Sequence, residues 1–299
     1  MLSASRDHRP FIAEACVVCG SEELARSPAV LMPFVADRVF GWRPVEITPE
    51  WGLQTVRPGM AYSLCTSLQC KACAHLFLDI RFTPDQLQRL YRNYQDDTYA
   101  SHRARYEPGY IGRNARLKQT IAYLPAVEDL IRPHVPERPR ILDWGGSRGD
   151  NTPFRGTRAA HDIFDISGEP PVEGARFVPL ETAVSGDYDL IVCSNVLEHV
   201  PYPLDTLHLV ASAMRPGTAL YLEIPLEDIM RRSVDSPEAH LSKRHWHEHI
   251  NFYSRQSLEH LVLSCGLDIV DISFLDVGDT PGSSSNYALI CRRSCFGKS

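Results

Sequence analysis

From residue 139 onward, short apolar runs alternate with stretches whose apolar residues recur at helical spacing. The runs are "RILDW", "HDIFDI", "RFVPL", "YDLIVCSN", "TALYLEI", "LDIVDISFL" and "NYALICR". Strands separated by helices in this way predict an α/β fold with a doubly wound, largely parallel sheet. In such sheets ligands lie beyond the C-terminal ends of the strands, where the strand order reverses.

The pattern before residue 139 is different. "AHLFLDI" reads as a short strand, and Thr83 as the N-cap of a helix that carries Leu87, Leu90 and Tyr91 on one face. "RNARLKQTIAYLPAVEDLIRPHV" is a longer helical pattern that Pro125 should kink or split in two. Three regions are therefore expected: residues 1–82, a helical linker or substrate cap over 83–138, and the α/β domain over 139–299.

The first strand of the α/β domain ends in "ILDWGGSRG", where Asp143 is followed by Gly145, Gly146, Ser147 and Gly149. Such a turn leaves backbone N–H groups bare and lets a ligand approach the main chain, although an ordinary strand-to-helix turn would look similar. Asp165 ends the second strand 22 residues after Asp143. That is close to the spacing of roughly 20 residues at which an acid meets ribose hydroxyls in dinucleotide folds. Together the two features favour a nucleotide-like cofactor over a bare turn.

Two CxxC pairs, Cys16/Cys19 and Cys70/Cys73, lie in the first region. Each short turn presents two sulfurs, so the pairs together predict a tetrahedral, structural Zn2+ site in a small N-terminal module. Cys65 is close enough in sequence to replace one ligand. The segment between the pairs, "VLMPFVADRVFGWRPVEITPEWGL", is expected to pack as an insertion and to wall a cleft.

Composition narrows the classes. With 299 residues, 43% hydrophobic and 23% charged, the chain can bury a sizeable core. A net charge of −6 gives no general attraction to nucleic acid, so a small-molecule substrate, with no nucleic acid and no membrane, is the expected partner. No apolar run nears the roughly 18 residues of a membrane span, and "MLSASRDHRPF" lacks a signal-peptide core, so a cytoplasmic protein is expected.

In order and spacing, the CxxC pairs, "ILDWGGSRG", "DIFDIS", "YDLIVCSNVLEHVPYP", "AMRPGTALYLEIP" and "HEHINFYSRQSLEHLVLSCGL" resemble the class I S-adenosylmethionine-dependent methyltransferases, in particular bacterial members with an N-terminal zinc module. The resemblance implies a Rossmann-like, mostly parallel seven-stranded sheet. It also implies S-adenosyl-L-methionine as cofactor, held by Asp143, Gly145, Gly146, Ser147 and Gly149, with Asp165 on the ribose and Asn195 and Leu197 lining the cleft. Ser147 stands where many relatives have a glycine.

"KRHWHEHINFYS" gathers His247, Glu248 and His249 after the fifth strand. A neutral imidazole is a suitable base near neutral pH, and a neighbouring carboxylate can fix its tautomer. The stretch is similar to the "YxEH" segment of zinc-containing sugar C-methyltransferases, with Trp246 at the tyrosine position. His249 is the expected base, with Glu248 or His247 assisting. The expected acceptor is a sugar, nucleotide sugar or natural-product hydroxyl, with O-methylation ahead of C-methylation. Arg103, Arg105, Arg113 and Arg116 are candidates to meet a phosphate, and Tyr99, Tyr106 and Tyr110 to contact substrate. The competing reading is a non-catalytic zinc- and nucleotide-binding scaffold.

Overall fold

The apolar runs after residue 139 form one sheet. The computed structural model describes residues 11–94, 96–117, 119–232, 238–278 and 284–294. Its strands are β1 Leu24–Leu31, β2 Val45–Ile47, β3 Gly59–Ala61, β4 Leu64–Cys70, β5 Leu76–Leu78, β6 Arg140–Trp144, β7 Ala160–Phe164, β8 Arg176–Phe177, β9 Leu190–Ser194, β10 Ala219–Leu226, β11 His245–Trp246, β12 Asn251–Phe252, β13 Leu267–Asp276 and β14 Ser285–Arg293. The helices are α1 Pro33–Phe40, α2 Pro84–Tyr91, α3 Asp97–Ala104, α4 Tyr110–Leu117, α5 Leu124–Ile131, α6 Leu180–Ser185, α7 Pro203–Ser212, α8 Asp228–Arg232, α9 Ala239–Ser242 and α10 Arg255–Ser264.

The large sheet has seven strands in the order β13-β14-β10-β9-β6-β7-β8, mostly parallel, with β14 antiparallel to both β10 and β13. Its central strands are continuous apolar runs because both faces are covered: all of β9 except Ser194 is buried, as are the first six residues of β10. The chain steps from β6 outward to β7 and β8, then returns to β9 on the other side of β6. The order therefore reverses between β6 and β9, and their C-terminal ends form the crevice where ligands enter such a sheet.

A second sheet, β11-β1-β4-β5-β12, lies in the N-terminal half but borrows both edge strands from residues 245–252. β11 pairs with β1, and β12 pairs with β5. The segment from His247 to Ile250 thus bridges the two edges. Trp246 is fully buried and donates its indole N–H to Ser67 Oγ at 2.8 Å, so at that position the chain carries a core residue.

Local signals explain the linking helices. Thr83 Oγ1 accepts the Gln86 N–H at 3.3 Å and Gln86 Oε1 accepts the Thr83 N–H at 2.9 Å, a reciprocal cap that starts α2. The long helical pattern splits into α4 and α5, and Pro125 lies in the first turn of α5, where its missing N–H costs no intrahelical bond. The expected insertion packs only in part. α1 buries Phe34, Val35, Ala36 and Val39, whereas Trp51, Leu53, Val56 and Met60 beyond it stay exposed. Among the described residues no helix is long and apolar enough to cross a membrane.

Candidate active site

The turn after β6 needs glycine at three positions for three separate reasons. Gly145 has φ 77°, and a Cβ there would lie 2.5 Å from Val196 Cγ2. At Gly146 a Cβ would fall 2.1 Å from the Asp143 carboxyl carbon, and at Gly149, with φ 84°, 2.5 Å from the His161 ring. Asp143 lies beneath this turn, buried and bonded to Thr152 Oγ1, and burial pushes its carboxyl up to about 6. Ser147 takes a left-handed φ of 51° and donates its N–H to Asp165 Oδ2 at 2.8 Å. The other oxygen of Asp165 accepts the Ser167 N–H at 2.6 Å. The loop and the strand-end acid are thus one hydrogen-bonded unit.

Beyond β9 the chain turns at Asn195, which has φ 54° and donates its N–H to the Glu223 carbonyl at 2.9 Å. Leu197 is buried, and its carbonyl accepts from Asn251 Nδ2 at 3.0 Å and from the Tyr253 hydroxyl at 2.9 Å. The Ile250 N–H donates to the Glu198 carbonyl at 2.7 Å. These bonds tie the loop after β9 to the bridging segment 247–250. Glu198, His199 and His249 meet there, one donor atom from each lying within 4.8 Å of the others.

His249 Nδ1 is 2.8 Å from Glu227 Oε1, just past β10. Burial would lower the His249 pKa, but the Glu227 hydrogen bond and the charge of Glu198 prevail and hold it above the ordinary histidine value. Glu248 does not provide the assistance expected of it. Its carboxylate takes two bonds from Arg103, at 2.8 and 3.1 Å. Burial raises its pKa, yet the Arg103 charge and hydrogen bonds outweigh that and hold it down at about 2. His247 sits 3.6 Å from Glu107 Oε1, apart from the His249–Glu227 pair, with burial pushing it down to about 4.

The structure corrects the expected phosphate contact of Arg103 and the expected substrate contacts of Tyr99 and Tyr110. Arg103 is 2% exposed, lies 4.3 Å from the centroid of the Tyr110 ring, and spends its guanidinium on Glu248 and Glu107. Tyr99 and Tyr110 are buried in the same cluster, and the Tyr106 hydroxyl donates to Asp37 at 2.7 Å. Arg105, Arg113 and Arg116 remain exposed. Glu227 escaped the sequence reading, although an acid just past the fifth strand is a signal of the right kind. Tyr91, whose hydroxyl is 2.7 Å from His199 Nδ1, gave no signal beyond its place on the apolar face of α2.

The four CxxC cysteines converge. Cys16 and Cys73 sulfurs are 3.6 Å apart, Cys19 and Cys70 sulfurs 3.5 Å, and all four lie within 4.8 Å of one another. Metal–sulfur bonds of about 2.3 Å in a tetrahedron put sulfurs about 3.8 Å apart, so the set fits such an ion. The distances are far from the roughly 2.05 Å of a disulfide. Cys65 is excluded by strand geometry: it is five residues from Cys70 on β4, hence on the opposite face, and packs in another core cluster.

A methyltransferase-domain family model matches residues 111–272. The chain belongs to the methyltransferase-domain family. Its mostly parallel seven-stranded sheet matches the Rossmann-like methyltransferase fold. The chain is 32% identical over 98 residues to a ubiquinone biosynthesis O-methyltransferase of Hahella chejuensis, a match covering 27% of this chain and 41% of that protein. It is 28% identical over 123 residues to the Burkholderia thailandensis enzyme of the same name, covering 36% of this chain and 52% of that one. The matches thus span about half the length of these curated relatives. Among solved structures, the Burkholderia thailandensis 1,6-didemethyltoxoflavin-N1-methyltransferase, with its substrate and S-adenosylhomocysteine bound, overlays 77% of this chain and 96% of its own with a TM-score of 0.50 at 16% identity. That likeness concerns the fold.

Proposed function

We propose that the methyltransferase takes S-adenosylmethionine at the C-terminal ends of β6 and β7 and passes its methyl group to a hydroxyl of a small molecule. The observation that carries this reading is the His249–Glu227 pair, an imidazole oriented by a carboxylate beyond β9 and β10. An ionised Glu227 only accepts hydrogen bonds, so Nδ1 of His249 carries its proton and Nε2 of the neutral ring keeps a lone pair. Methyl transfer from a sulfonium is an in-line displacement, so most of the work is alignment. An oxygen nucleophile must also lose a proton, and His249 Nε2 takes it. The glycine turn admits the cofactor to the main chain, Asp165 accepts the ribose hydroxyls, and Asn195 and Leu197 line the cleft.

The four cysteines hold a structural zinc. With every position filled by thiolate no water can bind, so the ion fixes the N-terminal sheet and supplies no reaction step. The names of the curated relatives support an oxygen acceptor, which agrees with O-methylation ahead of C-methylation. Sugar, nucleotide-sugar and phenolic hydroxyls form the substrate panel. Calorimetry with S-adenosylmethionine and a methyl-release assay across that panel test the reading. Turnover that falls about a hundredfold or more in His249→Ala, with cofactor affinity kept, is the expected result. Cofactor binding without turnover on any acceptor would favour the scaffold reading, and full turnover by His249→Ala would end the base assignment.

A further inference from the structure

Glu198 is a buried acid without a hydrogen-bond partner among the described residues. It is 1% exposed, and neither carboxylate oxygen meets a hydrogen-bond donor among the described residues. An orphaned carboxylate in such a place is costly unless something else satisfies it. Its neighbours are two imidazoles. His199 Nε2 lies 3.8 Å from Glu198 Oε1, and the rings of His199 and His249 meet edge to face at 4.6 Å.

Both imidazoles are oriented by their other nitrogen. His199 Nδ1 is held by the Tyr91 hydroxyl at 2.7 Å and the Glu248 carbonyl at 3.0 Å, and His249 Nδ1 by Glu227 at 2.8 Å. A carboxylate or backbone carbonyl behind each ring is the support that metal-ligating histidines characteristically have. The nitrogens left over are the Nε2 atoms. The histidine side chains are 20% and 34% exposed, so an ion can reach them from the cleft.

We propose that Glu198, His199 and His249 form a second cation site, separate from the four cysteines, for a divalent first-row transition ion of the Zn2+ type. Two imidazoles and one carboxylate suit Zn2+, Co2+, Ni2+ or Mn2+, whereas Mg2+ and Ca2+ prefer all-oxygen sets. Three protein ligands leave further positions open to water or a substrate oxygen. A cation here takes the Nε2 lone pair that the proposed methyl transfer assigns to the substrate proton. The two uses exclude each other, so the ion is an inhibitor. That consequence rests on the function proposed above, and the site does not.

The test is a titration of the full chain, already carrying zinc at its cysteines, with Co2+ followed by visible absorption. One equivalent of Co2+ should bind with ligand-field bands and no thiolate charge-transfer band. Glu198→Gln and His199→Gln should each abolish that signal, and Glu227→Gln should weaken binding by about ten- to a hundredfold. Circular dichroism of each variant checks that it is folded. Among the described residues Glu198 has no side-chain hydrogen bond to lose, which makes its glutamine variant the cleanest. Absence of the thiolate-free signal, or its persistence in folded Glu198→Gln, would overturn the site. Inhibition of methyl release by Zn2+ reads the consequence. If Zn2+ instead raised turnover, the site would stand and His249 would lose its role as the base; if no acceptor turned over, the Co2+ result would stand alone.

Discussion

At the scale of single residues, Asp165 and Asp143 are strand-end acids with opposite assignments. Asp165 accepts the backbone N–H groups of Ser147 and Ser167, and the proposed function gives it the ribose hydroxyls as further donors. Asp165→Ala should weaken S-adenosylmethionine binding by about 1.5–3 kcal/mol, the range for hydrogen bonds to a charged group, as measured by calorimetry. Asp143 is buried under the turn, and its pKa is raised from 3.8 to about 6. In that window the folded chain binds more protons than the unfolded chain, so this group's contribution to stability is present below pH 3.8 and is lost as pH rises through about 6. The change amounts to about 3 kcal/mol at 1.36 kcal/mol per unit. Denaturant melts between pH 4 and 7 should show that slope in the parent chain and lack it in Asp143→Asn.

At the scale of elements, the bridging segment between β11 and β12 is clamped to α3 by the Arg103–Glu248 pair. Removing one partner leaves the other buried and charged. Glu248→Gln or Arg103→Met alone should cost about 3–5 kcal/mol in chemical denaturation, and the double variant should recover much of the loss. A structural clamp predicts one further result, that turnover falls with stability in the single variants and returns with it in the double. The motif was legible in the sequence, because three histidines and a glutamate after the fifth strand stand out. Their division of labour was not. Which carboxylate supports His249 depends on Glu227, 22 positions earlier and just past β10, and on Arg103, 145 positions before Glu248.

At the scale of the whole molecule, the cysteine knuckles belong to the same core as the large sheet. Cys16, Cys70 and Cys73 share a cluster with Leu222, Leu258 and Leu289, and Ser254 and Gln256 of the α10 start donate to the carbonyls of Cys73 and Ala72. Loss of the metal should therefore reach past the N-terminal sheet. Cys70→Ser should lose about one equivalent of zinc by elemental analysis, and hydrogen exchange should quicken in α10 as well as in β1 and β4. Protection confined to its parent level in α10 would mean that the knuckles stand apart from the α/β core.

Sequence by itself determined what depends on neighbours along the chain. The period of the apolar runs gave the strands of the large sheet, Thr83 marked the start of α2, and three glycines with two acids marked the turn after β6. The CxxC spacing picked out four sulfurs, because each knuckle is a local turn. Tertiary structure alone decided what depends on pairing across the chain. It sent residues 245–252 to both edges of the N-terminal sheet. It also withdrew Arg103 from any substrate by closing it onto Glu248, and brought Glu227 to His249. Each of these contacts joins residues whose separation in sequence carries no periodic trace, since burial and charge pairing reward proximity in space however far apart the partners lie in the chain.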